Sequence, residues 1–182
     1  MAELGIVQKV VRLHDALVAA RLPHAFGGAL ALAWCTEQAR GTIDIDLNVF
    51  VDADRAADVF DALPKAVRRT ERDLDECRTT GQVRLWWGTT PIDVFTNTTD
   101  FHRAAADRVV SKEFASRSVP FLGCSDLAVF KAFFDRTKDW ADIEAMVAAG
   151  SLDVDLVIGA LVHYLGADDE RVTRLRAIAT AS

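Results

Sequence analysis

Asp44 and Asp46, two residues apart in the stretch Arg40-Gly-Thr-Ile-Asp-Ile-Asp-Leu-Asn-Val-Phe-Val51, have the types and spacing to do chemistry. The stretch alternates, with Thr42, Asp44, Asp46 and Asn48 on one side and Ile43, Ile45, Leu47, Val49 and Val51 on the other. It therefore predicts a strand over 42–51 with two carboxylates on one face. Like charges about 7 Å apart on a strand face repel, and a divalent cation between them relieves the repulsion. Mg²⁺ suits such a pair because it takes one or two carboxylates together with substrate phosphates. Upstream, His24-Ala-Phe-Gly-Gly-Ala-Leu-Ala predicts a short strand that stops at Gly27-Gly28 and a helix that follows at once. Glycine lets backbone N–H groups approach a ligand, and the helix N-terminus favours a phosphate. A phosphate turn beside a metal-binding acid pair implies phosphoryl or nucleotidyl transfer.

With these residues in view, the chain resembles the nucleotidyltransferase superfamily, whose pattern is a Gly-Gly or Gly-Ser turn, an Asp-x-Asp strand and a third carboxylate on a later strand. Pro91-Ile-Asp-Val-Phe95 supplies that third acid, Asp93. Gly27-Gly28, Arg40-x-Thr42-x-Asp44-x-Asp46, Asp126-Leu-Ala-Val-Phe-Lys131 and Arg136-x-Lys138-Asp139-x-x-Asp142 occur in the order found in the AbiEii-type branch, which contains toxins of toxin–antitoxin pairs. The resemblance covers residues 22 to 147. It implies a two-metal Mg²⁺ site on Asp44, Asp46 and Asp93, with Asp93 completing the metal that activates an acceptor hydroxyl. It places Gly27 and Gly28 on the phosphates of an NTP; Arg40 and Thr42 precede the acids at the strand entry as nucleotide-binding candidates, with Arg40 either on phosphate or paired with an acid. Lys131 neutralises the leaving pyrophosphate, and Asp142 with Asp139 forms the last motif. Gly28 stands where many superfamily members carry Ser.

Composition bounds the rest. The 182 residues, 51% hydrophobic, suffice for one sizeable core, read as a single unit with a nucleotidyltransferase core over 1–122 and a helical C-terminal part over 123–182. The first residues show no signal-peptide pattern and no apolar run reaches the ~20 residues of a membrane span, so a soluble cytoplasmic protein without a membrane partner is expected. Cys35, Cys77 and Cys124 form no Cys-x-x-Cys pair, and reduced, packed thiols are expected. A net charge of −6 argues against general affinity for nucleic acid. Lys65-Ala-Val-Arg-Arg-Thr-Glu-Arg72 reads as a salt-bridged surface segment, or else as a local RNA-facing edge carrying Arg68, Arg69 and Arg72.

The elements that must position these residues follow from periodicity. Helices are predicted over 3–20, 29–38, 52–63, 126–136, 139–149, 154–165 and 169–180, and strands over 24–26, 42–51, 82–87, 92–96 and 118–122. Gln82 to Trp87 and Ile92 to Thr96 read as a hairpin that brings Asp93 into the sheet; at most one of Trp86 and Trp87 can face the cleft as a stacking surface for a base, and packing is the favoured role for them. If 126–146 is nearly continuous helix, Lys131, Asp135, Lys138, Asp139 and Asp142 share one face. That stripe serves the cleft, or is an ordinary surface with ion pairs Lys131–Asp135 and Lys138–Asp142. The fold class is α/β (α+β), a nucleotidyltransferase-like small mixed sheet with flanking helices. The function implied is NMP transfer from an NTP to a hydroxyl acceptor, as a toxin modifying tRNA and paired with an antitoxin. The alternatives are an antibiotic or protein nucleotidyltransferase, or a non-catalytic nucleotide-binding module.

Overall fold

Alternating apolar residues make the sheet. Ile45, Leu47, Val49, Ile92, Val94, Val83 and Leu85 are all buried, and each fully buried aliphatic side chain is worth about 1.5–3 kcal/mol relative to exposure. The computed structural model describes residues 4–39 and 41–181. Among them lie helices α1 (Ile6–Ala19), α2 (Gly28–Thr36), α3 (Ala56–Ala62), α4 (Glu71–Thr80), α5 (Asp100–Ala105), α6 (Cys124–Phe134), α7 (Thr137–Ala148), α8 (Val154–Leu165) and α9 (Glu170–Ala181). The strands are β1 (His24–Phe26), β2 (Ile45–Asp52), β3 (Val67–Arg68), β4 (Gln82–Trp87), β5 (Thr90–Asn97), β6 (Val110–Phe114) and β7 (Arg117–Phe121).

The strands form one mixed sheet in the order β3-β4-β5-β2-β1-β7-β6. The β2–β5 and β1–β7 pairs are parallel and the others antiparallel. The chain divides into two compact units, residues 1–30 with 41–122, and residues 31–40 with 123–182. The whole sheet belongs to the first unit. In that unit the wholly buried Lys9 of α1 donates through Nζ to the Trp87 carbonyl and to Thr90 Oγ1, which fixes the β4–β5 hairpin end to the helix. The second unit packs Trp140, Ile143, Met146, Val157, Leu161, Val172 and Leu175 into its own core. No helix among the described residues is long and apolar enough to cross a membrane.

Four expectations are corrected. Strand β2 starts at Ile45, and Ile43 is 80% exposed rather than inward. The cause is local, since Thr42 Oγ1 accepts from the Asp44 N–H and takes residues 42–44 out of the ladder. The helical stripe over 126–146 is broken, because Asp135 closes α6 in the left-handed region at φ 54° and its carboxylate accepts from Trp140 Nε1 at 2.6 Å. Asp tolerates that conformation better than most residues. Cys35 and Cys124 form a disulfide within the second unit, with Cα atoms 5.6 Å apart, while Cys77 is a buried free thiol. Finally, β6, β3, α4 and α5 have no counterpart among the predicted elements.

Candidate active site

The site is a row of residues across four strands. Asp46 on β2 lies in register with Asp93 on parallel β5, so their side chains share a sheet face. Arg84 on β4 is the antiparallel partner of Asp93 and continues the row. On the other side, the Gly27 N–H at the end of β1 donates to the Asp46 carbonyl at 2.9 Å. The row therefore reads Arg84, Asp93, Asp46, Gly27. Asp44, Asp46 and Asp93 are all partly accessible, while the flanking Ile45, Leu47, Ile92 and Val94 are buried. Sequence alternation thus places the acids on the open face as expected, even though Asp44 itself precedes the strand.

Gly28 is constrained twice. Its φ is +53°, and a Cβ built on it would fall on the Asp46 carboxylate. A side chain at this position would meet both backbone strain and the Asp46 carboxylate, which would have to turn aside. Gly27 has less freedom as a phosphate ligand than expected, because its N–H is already committed to Asp46. The donors left for an anion are those of the first turn of α2, beginning at Gly28, where a helix has no intrahelical acceptors.

Thr42 Oγ1 donates to Asp44 Oδ1 at 2.6 Å, so Thr42 orients a carboxylate. Arg40 lies outside the described residues. Arg84 holds both oxygens of Asp93, Nε to Oδ1 at 2.7 Å and Nη2 to Oδ2 at 2.6 Å. The hydrogen bonds to Asp93 and its charge raise the Arg84 pKa most, burial opposes them, and the charges of Asp44 and Asp46 add to the rise. One cation therefore feels all three acids. Sequence reasoning missed Arg84, although counting back from the β4–β5 turn sets it opposite Asp93. Trp86, two residues along the same strand, is exposed, whereas Trp87 is buried. Among the described residues, no group of three or more His, Cys, Asp or Glu side chains is arranged to hold a metal ion.

The other predicted residues gather in the second unit. Lys131 Nζ donates to Asp142 Oδ2 at 2.7 Å and to Asp139 Oδ1 at 3.4 Å, and Arg136 also pairs with Asp139. Lys131, Asp139 and Asp142 are buried, so they are not a solvent-facing stripe, and Asp135 is engaged by Trp140 rather than Lys131. Burial by itself would raise the Asp139 carboxyl, but hydrogen bonds from Arg136 and the charges of Lys131 and Arg136 outweigh it and hold the value below the ordinary one. In the basic segment, Arg69 donates Nη1 to the carbonyls of Pro64 and Val67, so it braces its own turn, while Arg68 and Arg72 are exposed.

The fold is that of nucleotidyltransferases. The structure of ANT(2'')-Ia in complex with adenylyl-2''-tobramycin matches 96% of this chain and 97% of its own at 14% identity, with a TM-score of 0.56. An antigenic nucleotidyltransferase-like protein from Paracoccidioides brasiliensis matches over 94% and 92% at 15% identity, with a TM-score of 0.54. The lincomycin-bound lincosamide antibiotic adenylyltransferase LnuA matches over 80% and 98% at 14% identity, with a TM-score of 0.53. No family model and no curated protein matches the sequence.

Proposed function

We propose that this protein is a metal-dependent nucleotidyltransferase that moves an NMP from an NTP to a hydroxyl acceptor and releases pyrophosphate. The observation that carries the reading is the register of Asp46 with Asp93 on one open face, directly beside the Gly27-Gly28 turn and the start of α2. The donor set fits Mg²⁺, because the oxygens are hard carboxylates and the missing Cβ at Gly28 leaves space that Asp46 needs. Asp44 and Asp46 would hold the ion bound to the triphosphate, and Asp93 the one nearer the acceptor. Bound there, the ions would screen phosphate charge and make the acceptor hydroxyl more acidic.

The chain's own residues supply the remainder. N–H groups at the start of α2 bind phosphate oxygens, Thr42 fixes Asp44, and exposed Trp86 offers a face on which the base stacks. The acceptor oxygen forms a bond to the α-phosphorus as the bond from that phosphorus to the bridging oxygen breaks, pyrophosphate leaves with that bonding pair, and the hydroxyl proton passes to solvent at the open face of the row.

The AbiEii-type resemblance supports a tRNA acceptor and an antitoxin partner. A small hydroxyl compound of the antibiotic class is favoured by a different observation, the engagement of Arg69 with backbone carbonyls in a protein of net charge −6. Labelled NTPs, Mg²⁺, cell extract and a panel of hydroxyl antibiotics will separate these readings by which product carries label. In the same assay Asp46→Asn is expected to lose about a thousandfold or more in transfer rate. Its unfolding temperature should hold or rise, since one of two repelling charges is gone. Retained transfer in Asp46→Asn would overturn the proposal.

A further inference from the structure

Arg84 takes no part in binding the nucleotide or in the transfer itself. Its guanidinium makes a fork-to-fork contact that occupies both oxygens of Asp93, and the pair sits on the open face with side chains 55% and 18% exposed. A planar guanidinium matches a carboxylate in two parallel hydrogen bonds, but it cannot gather several carboxylates around one centre as a divalent ion does. Both oxygens of Asp93 are thus engaged by Arg84 on β4. The Arg84 side chain is 55% exposed, so the guanidinium is already largely hydrated and its release to water costs little beyond the loss of the pair itself.

We infer that Arg84 is a resident counter-ion that a divalent metal must displace from Asp93, and so a positioning residue that sets how readily the third carboxylate loads. This rests on the metal-dependent reading of the same acids.

The test is Mn²⁺ titration of the full chain by electron paramagnetic resonance, without nucleotide, for wild type, Arg84→Gln, Arg84→Lys, Asp93→Asn and each Arg84 variant combined with Asp93→Asn. Arg84→Gln is expected to bind Mn²⁺ about tenfold tighter, within the range of coupling between neighbouring charged groups. Arg84→Lys keeps the charge but loses the fork, and it too should bind tighter than wild type. Neither gain should survive in the Asp93→Asn background. Arg84→Lys binding like wild type would reduce the effect to long-range charge and overturn displacement. A gain that persists with Asp93→Asn would overturn it as well. Equal affinity in all Arg84 forms would do the same while leaving the metal site standing. Absence of Mn²⁺ binding in every form, with or without NTP, would instead overturn the metal reading beneath it.

Discussion

The two units use the same residue types in opposite ways. In the first, Arg84 and Asp93 pair on an open sheet face with side chains 55% and 18% exposed; in the second, Lys131 and Asp139 pair with side chains 11% and 0% exposed. An ion pair in contact with water can open at little cost, whereas a buried one must keep all its partners or leave a charge stranded. The open row is suited to exchanging its cation for a ligand. The closed cluster is suited to holding α6 against α7 across the break at Asp135.

The largest effect that would sharpen this contrast is on stability. Lys131→Met should destabilise the protein by about 3–5 kcal/mol, because Asp142 loses its short partner and Asp139 one of two. Arg84→Gln should cost under about 1 kcal/mol, since its pair is solvated. Chemical denaturation of both variants checks this, and equal losses would break the comparison. Lys131→Met combined with Asp142→Leu should recover much of the loss, as expected when a buried pair is replaced rather than halved.

Acid titration separates the units next. In the first unit, burial drives His24 and His102 down to about 4, with backbone hydrogen bonds opposing in part. The unfolded chain therefore takes up protons that the native state refuses. The stabilisation is complete above pH 6.5 and is lost as pH falls toward 4, by up to about 3 kcal/mol for each histidine. Asp139 is lowered, so the charge cluster of the second unit weakens only below the ordinary carboxylate range. Hydrogen exchange followed from pH 7 to 4 should show the sheet losing protection before α6 and α7 do. Simultaneous loss would count against the difference.

Much of the first unit was legible because its chemistry and its periodicity coincide. Alternation around Asp46 and apolar flanks around Asp93 revealed both strands, and Gly27-Gly28 marked the turn. Parallel register cannot be read from one strand, and so the pairing of Asp46 with Asp93 emerged only in the structure. Arg84 was within reach of the predicted hairpin, but only the turn register sets it opposite Asp93. The β6–β7 hairpin escaped because its turn uses Ala115 and Ser116 at positive φ, where Gly or Asn would have announced it. Helix α4 carries only Leu74 and Cys77 as apolar residues, too few for a helical stripe, and is set instead by the Thr70–Asp73 capping box. In the second unit, apolar periodicity and the glycines at 150 and 166 marked the helices well, but a left-handed Asp135 has no sequence mark that separates it from a helical one. The disulfide was illegible because 89 residues separate its cysteines.

That separation gives the oxidised chain an unusual mechanical topology. Residues 36–123, which include β2 to β7, lie inside a covalent loop closed by Cys35 and Cys124. A force applied at the chain ends passes through the sulfur bridge and bypasses this loop, so roughly 300 Å of contour length stays hidden from the pull. In a single-molecule stretching experiment, reductant should release that length as extra extension, and an unchanged extension would show that the loop was never closed.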